Sequence, residues 1–220
     1  GRASFDKPTA DEGLTEYVSD PAKPVPHSPR PQFGYDYDIA GIIASWRRWL
    51  VEDQRFADGR PDVATWESDA LSQPLTLRGP VTVKLYAETT GTDADWVVKL
   101  IDAYPDDHFN YEMSGYQLMI SSDIFRGRYR EKFDEARPLA ANQVLEYTIN
   151  LPHLNHTLLK GHRLMVQIQS TWFPLYDRNP QTFVPSIMFA PASAYKAQRQ
   201  RIHHSASYPT HLSVLVDNPN

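Results

Sequence analysis

The chain contains no cysteine, which excludes disulfides, thiolate zinc sites and a cysteine nucleophile. It has no apolar run long enough to suggest a membrane span. It also lacks internal repeats, heptads and low-complexity segments. A formal net charge of -5 argues against electrostatic capture of nucleic acid, which needs a basic face to displace counterions from phosphates. The local basic stretch at Arg126, Arg128 and Arg130 is followed at once by acids. Neither nucleic acid nor membrane is therefore expected as a partner. The chain begins at Gly1 without an initiator methionine or a signal-like apolar segment, so it is expected to be a piece of something longer. No compartment is implied.

The motifs of common catalytic chemistries are missing as well. An α/β-type serine hydrolase carries its nucleophile in G-x-S-x-G, because small neighbours permit the strained strand-to-helix turn. No such pentapeptide occurs, and Met113-Ser114-Gly115 reads as a polar turn. No Gly-rich phosphate loop, H-E-x-x-H helix or EF-hand loop is present, so no cofactor or metal is expected. His153 and His156 sit beside Pro152 and Asn155, which predicts a surface turn in preference to a metal pair. His203 and His204 are adjacent and would face opposite sides of a strand. Among these histidines a cupin-like metal site is the weakest reading. Asp93, Asp95 and Asp102 gather around one strand. Calcium is an option there, but hydrogen bonding to loop backbone or an arginine is preferred.

What is present suits a globular all-β protein. The 220 residues are 41% hydrophobic and 22% charged, enough for one sizeable core. Prolines 8, 21, 24, 26, 29 and 31 predict an extended arm, because each fixes φ and removes a backbone donor. Tyr17 and Val18 would anchor it, with Ser19 to Pro26 stiff and polyproline-like. From Gly41 to Gln54, Ile42, Ile43, Trp46, Trp49 and Leu50 recur at helical spacing, predicting one short amphipathic helix.

After Gly59-Arg60-Pro61 the period becomes two. Strands are predicted around 63–67, 81–87, 96–101, 116–120, 143–151, 163–170, 197–204 and 212–217. The 96–101 segment is apolar on nearly both faces and reads as a central strand covered on each side. The others alternate cleanly, as strands with one solvated face do. Without a βαβ rhythm, the expected architecture is a jelly-roll-like antiparallel β-sandwich over residues 61–220, preceded by an arm and short helix over residues 1–60.

Gly91-Thr92-Asp93-Ala94-Asp95-Trp96-Val97-Val98-Lys99-Leu100-Ile101-Asp102-Ala103-Tyr104-Pro105 resembles a strand-plus-turn signature in the C-terminal domain of one hydrolase family. That family contains cocaine esterase, X-Pro dipeptidyl-peptidases, glutaryl-cephalosporin acylases and α-amino acid ester hydrolases. The resemblance extends to Arg126-Gly127-Arg128-Tyr129-Arg130, expected to be a strand, and to Pro152 through Gln167. It includes Ser170-Thr171-Trp172-Phe173-Pro174-Leu175-Tyr176-Asp177-Arg178-Asn179-Pro180. Order and spacing agree over roughly Pro61 to Val216. The arm, the Trp49 segment and Gly59 to Val63 resemble the acylase and amino acid ester hydrolase branch. The resemblance implies a jelly roll that packs on an upstream α/β-hydrolase domain, helps wall its substrate cleft and contributes to homo-oligomer contacts. The triad would lie in that other domain, so no catalytic residue is carried over.

Two groups of side chains are candidates within this frame. Trp46, Trp49, Trp172, Phe173 and Tyr176 are expected to face the neighbouring domain or its cleft, and the last three are expected to be exposed without it. Asp177, Arg178 and Asn179 combine a carboxylate, a guanidinium fork and an amide, a set suited to locking a loop. The alternative is a stand-alone carbohydrate- or ligand-binding module. Trp66, Trp172 and Tyr176 would serve as its stacking rings within a chain that is 12% aromatic.

Overall fold

Val81, Val83, Leu85 and Ala87 alternate with more exposed neighbours in the sequence, and in the computed structural model they turn one row of side chains into the core. The structure describes residues 1–29 and 49–217. Its strands are β1 (Leu14–Ser19), β2 (Val63–Glu67), β3 (Leu75–Thr89), β4 (Asp95–Ala103) and β5 (Gln117–Arg126). They continue with β6 (Leu145–Leu158), β7 (Arg163–Gln169), β8 (Gln198–His203) and β9 (His211–Asp217). One sheet runs β1-β8-β3-β6, with β9 also on β3, and the other runs β2-β7-β4-β5. All named pairings are antiparallel. The chain is all-β, a sandwich of two sheets.

The main core lies between the sheets. It takes Trp96, Val98 and Leu100 from β4, and Leu77, Val81, Val83 and Leu85 from β3. Tyr147, Ile149, Leu151, Leu154 and Leu158 come from β6. In β6 the buried set changes from odd to even numbers between Leu151 and Leu154. The cause is a bulge, because the register with β3 shifts between Gly79 and Val81 and Gly79 adopts φ +78°, a conformation open to glycine.

That bulge carries β6 seven residues past the expected end at Leu151. His153 and His156 are therefore strand residues and not a surface turn. Pro152 is tolerated because β6 is the edge of its sheet. The segment Arg126-Gly127-Arg128-Tyr129-Arg130 is also not a strand. β5 ends at Arg126, and Gly127–Tyr129 forms a 3-10 turn. Residues 14–19 of the arm contain no proline and form β1, paired with β8. The predicted helix lies mostly outside the described residues, including Trp46. Its described end holds two 3-10 turns, Trp49–Val51 and Gln54–Phe56.

The outer face of the β4-containing sheet is covered: β4 is buried on both sides, as expected for residues 96–101, whereas β7 departs from the expectation of a solvated side. Lys99, Gln167 and Gln169 are fully buried there, beside a second apolar cluster of Val97, Ile101, Met165 and Trp172. Residues distant in sequence cover the face. Gln54 reaches Lys99, and Val25 pairs with the chain at Thr171 and Phe173.

Candidate functional site

The loop after β7 is held by its backbone before any side chain is considered. Thr171 Oγ1 accepts from Val25 N at 2.8 Å. Phe173 N donates to Val25 O at 3.1 Å, and His27 N donates to Phe173 O at 2.9 Å. The arm thus lies against the loop, and the Phe173-Pro174 peptide is cis. Trp172 is buried beneath it, 3% exposed, with Tyr176 stacked on its ring at 6.0 Å. This corrects the expectation that Trp172 is exposed in the domain alone: β4 and the arm already cover it. Tyr176 is half-buried, while Phe173 and Leu175 are exposed.

Three consecutive polar residues then reach three different parts of the fold. Asp177 Oδ1 accepts from Arg126 Nη2 at 2.8 Å. Arg178 Nη1 donates to Pro21 O at 2.8 Å. Asn179 Nδ2 donates to Asp95 Oδ1 at 2.8 Å, and its own oxygen accepts from Gln181 N at 2.8 Å. Burial pushes the Asp95 carboxyl up to about 7, against the pull of the Arg126 guanidinium.

Below the loop lies Lys99, a residue that the sequence reading passed over. Its ammonium donates to Gln54 Oε1 at 2.9 Å and sits 5.1 Å from the Trp172 ring centre and 5.8 Å from that of Phe56. It is fully buried and has no carboxylate ion pair among the described residues. Burial pushes its amine down to about 7. His27 in the arm is also held below the usual imidazole value, first by burial and then by the Lys99 charge. One sequence signal was available: Lys99 is the lone charged residue in the segment Trp96 to Ile101, which is otherwise apolar on both faces.

The three aspartates do not form one cluster. Asp93 pairs with Arg128, whose Nε donates at 2.8 Å and whose Nη2 lies 2.6 Å away, with both side chains buried. Asp95 meets Asn179 at the start of β4. Asp102 lies at the other end of β4 and accepts from His156 Nε2 at 2.8 Å on one oxygen and from His162 Nδ1 at 2.7 Å on the other. Each imidazole uses a separate oxygen, so the three groups do not converge. Among the described residues no cluster of three potential ligands is placed to hold a metal. His204 bonds Thr15 Oγ1 at 3.1 Å, and its ring meets Trp66 edge-on at 6.2 Å. Trp66 packs against the core, so Trp66, Trp172 and Tyr176 form no exposed stacking row.

A sandwich whose described residues show no nucleophile motif and whose loops are tied by buried polar pairs is a scaffold in need of a relative. The X-Pro dipeptidyl-peptidase C-terminal non-catalytic domain matches residues 3–213. The chain belongs to this family. Cocaine esterase of Rhodococcus sp. is 29% identical over 205 residues, covering 93% of this chain and 32% of that protein. A serine esterase assigned in Mycobacterium bovis is 25% identical over 209 residues, with coverage of 91% and 30%.

Two solved structures of higher identity share the fold of this family member. An aminopeptidase from a marine sediment archaeon, Thaumarchaeota archaeon, superimposes with a TM-score of 0.93 at 51% identity, over 98% of this chain and 35% of that one. An α-amino acid ester hydrolase superimposes with a TM-score of 0.91, also at 51% identity, over 97% and 34%. The chain thus spans about a third of the length of the relatives it matches. It is a C-terminal non-catalytic domain of the cocaine esterase and X-Pro peptidase type of hydrolase.

Proposed function

We propose that this domain packs on an upstream α/β-hydrolase domain of the same protein and helps wall its substrate cleft. The observation that carries the reading is the Phe173–Tyr176 loop. It presents Phe173 and Leu175 to solvent, 40% and 37% exposed, on a backbone tied to the arm and flanked by Asp177, Arg178 and Asn179 in the role of loop locks. Apolar side chains held in one geometry lose little entropy on docking, which is how an interface gains affinity from few residues. Trp49 stands five positions before Gln54 in the chain, and it and Trp46, which is outside the described residues, belong to the same proposed interdomain set.

The parent would hydrolyse an ester or amide through an acyl-enzyme, with its serine, histidine and oxyanion hole in the upstream domain. The activities named for the relatives, esterase, amino acid ester hydrolase and aminopeptidase, support acyl transfer to water. The 220-residue chain alone should not turn over an ester such as p-nitrophenyl acetate. In the full-length hydrolase, Phe173→Ala combined with Leu175→Ser should lower kcat/KM by about tenfold, the effect of losing about 1.4 kcal/mol at an interface hot spot. Turnover by the chain alone that disappears when one of its serines is replaced would overturn the reading. So would an unchanged kcat/KM in the double variant.

A further inference from the structure

The arginines of this domain are almost all matched to acids. Among the described residues, Arg163 and Arg178 are the two without a carboxylate ion pair. Arg178 is nevertheless held in place. Its guanidinium carbon lies 5.4 Å from the Phe173 ring centre and 5.3 Å from that of Tyr195. One nitrogen, Nη1, donates to Pro21 O, whereas Nε and Nη2 have no acceptor among the described residues. Two aromatic rings and one carbonyl therefore fix the plane of a fork whose remaining donors point to no acceptor among the described residues.

That fork lines a depression of about 410 Å³, together with Asp20, Ala22, Ala190, Ala192 and Tyr195. Asp20 does not neutralise it, because one of its carboxylate oxygens turns back to accept from Ala22 N at 2.9 Å and it forms no ion pair with Arg178. The alanines leave the approach open. At the rim, Met188 and Phe189 directly precede Ala190 and are 78% and 88% exposed. An unmatched, oriented guanidinium beside a large exposed apolar pair has the makings of an interface anchor, since the rim would exclude water from the charged contact.

We infer that Arg178 receives a carboxylate from the remainder of the hydrolase, an Asp or Glu side chain on a surface that also covers Met188 and Phe189. The inference rests on the domain-docking reading above and names a second contact for it. About two thirds of each structural relative lies outside the part this chain matches, which supplies a surface large enough to cover the depression. A planar fork prefers a carboxylate, which it can bind with two parallel hydrogen bonds. A free small carboxylate would find only this one fork in an alanine-lined hollow, so the macromolecular source is favoured.

The test uses the full-length hydrolase and this chain side by side. Phenylglyoxal modification of Arg178, followed by peptide mass spectrometry with the exposed Arg137 as reference, should be at least tenfold slower in the full-length protein. In a full-length Arg178→Lys variant, a carbodiimide should couple the introduced amine to an Asp or Glu outside this chain, identifying the partner. Equal modification rates, or coupling only to Asp20, would overturn the inference. If Met188 and Phe189 were protected from hydrogen exchange while Arg178 stayed reactive, docking would stand and the carboxylate contact would fail. Strong protection of Arg178 in the chain alone by millimolar sodium acetate would assign the fork to a free carboxylate instead.

Discussion

Lys99 shows how much a single side chain can couple in this fold. Its amine is pushed down to about 7 from an ordinary value near 10.4 in the unfolded chain. Between those values the unfolded state binds more protons than the folded state, so this group makes stability rise with pH from about 7 to about 10. Below pH 7 the lysine is charged in both states, and the full cost of burying it is present. A Lys99→Met variant should therefore gain most relative to the native chain near pH 6 and lose that advantage by pH 10. The loss of the Gln54 acceptor's partner offsets the gain at every pH but does not alter the slope. Urea unfolding at the two pH values reads the difference directly, and a pH-independent difference would contradict the assignment. Arg128 presents the opposite case, a buried cation already matched to Asp93. Arg128→Met should cost about 3–5 kcal/mol by leaving a buried carboxylate unpaired, measurable by the same unfolding method.

Among the elements, β3 from Val81 onward and the first half of β6 were legible because their side chains alternate and their tertiary neighbours reinforce that period, and β4 because a short run apolar on both faces marks a covered central strand. The second half of β6 was not. At Gly79 the bulge changes the partner phase, so Leu154, His156 and Leu158 continue the inward row on even numbers after Leu151 ends it on odd ones. A rule of strict alternation stops at Pro152. β1 was hidden by the prolines around it, although the segment between them is free of proline. The covered outer face was legible at β4, which is apolar on both sides, but not at β7: its cover comes from Gln54 and Val25, far from β7 in sequence, and the alternation of Gln167 and Gln169 with apolar neighbours carries no information about such a lid. Of the candidate site, the sequence composition of Asp177, Arg178 and Asn179 pointed to dense hydrogen bonding, but it could not name Arg126, Pro21 and Asp95 as the partners. The bulge itself is testable. At φ +78° a Cβ is unfavourable, so Gly79→Ala should destabilise the domain by about 1–2 kcal/mol, read as a lower urea midpoint with an unchanged slope.

At the scale of the whole molecule, β4 joins two polar contacts at its opposite ends. Asp102 in the β2-β7-β4-β5 sheet meets His156 of β6 in the other sheet, with His162 on its second oxygen. Asn179 clamps the late loop to Asp95 at the beginning of the same strand. The seven residues from Asp95 to Asp102 place these contacts about 23 Å apart at the rise of an extended strand, and they share no partner. Asp102→Asn leaves one histidine donor facing an amide nitrogen in place of an acceptor, and Asn179→Ala leaves Asp95 and Gln181 N without their partner. Each should cost about 1–3 kcal/mol, the cost of stranding a buried polar group. If the sandwich unfolds as one cooperative unit, the double variant should lose the sum of the two within about 0.5 kcal/mol. The measurement is a four-member urea cycle monitored by both tryptophan fluorescence and far-ultraviolet circular dichroism. A deviation above 1 kcal/mol, with the probes still coincident, would mean that strain passes along β4 between its ends. The loop that carries Phe173 and Arg178 would then be coupled energetically to the far edge of the sandwich, and a change at Asp102 would reach the proposed docking face without touching it.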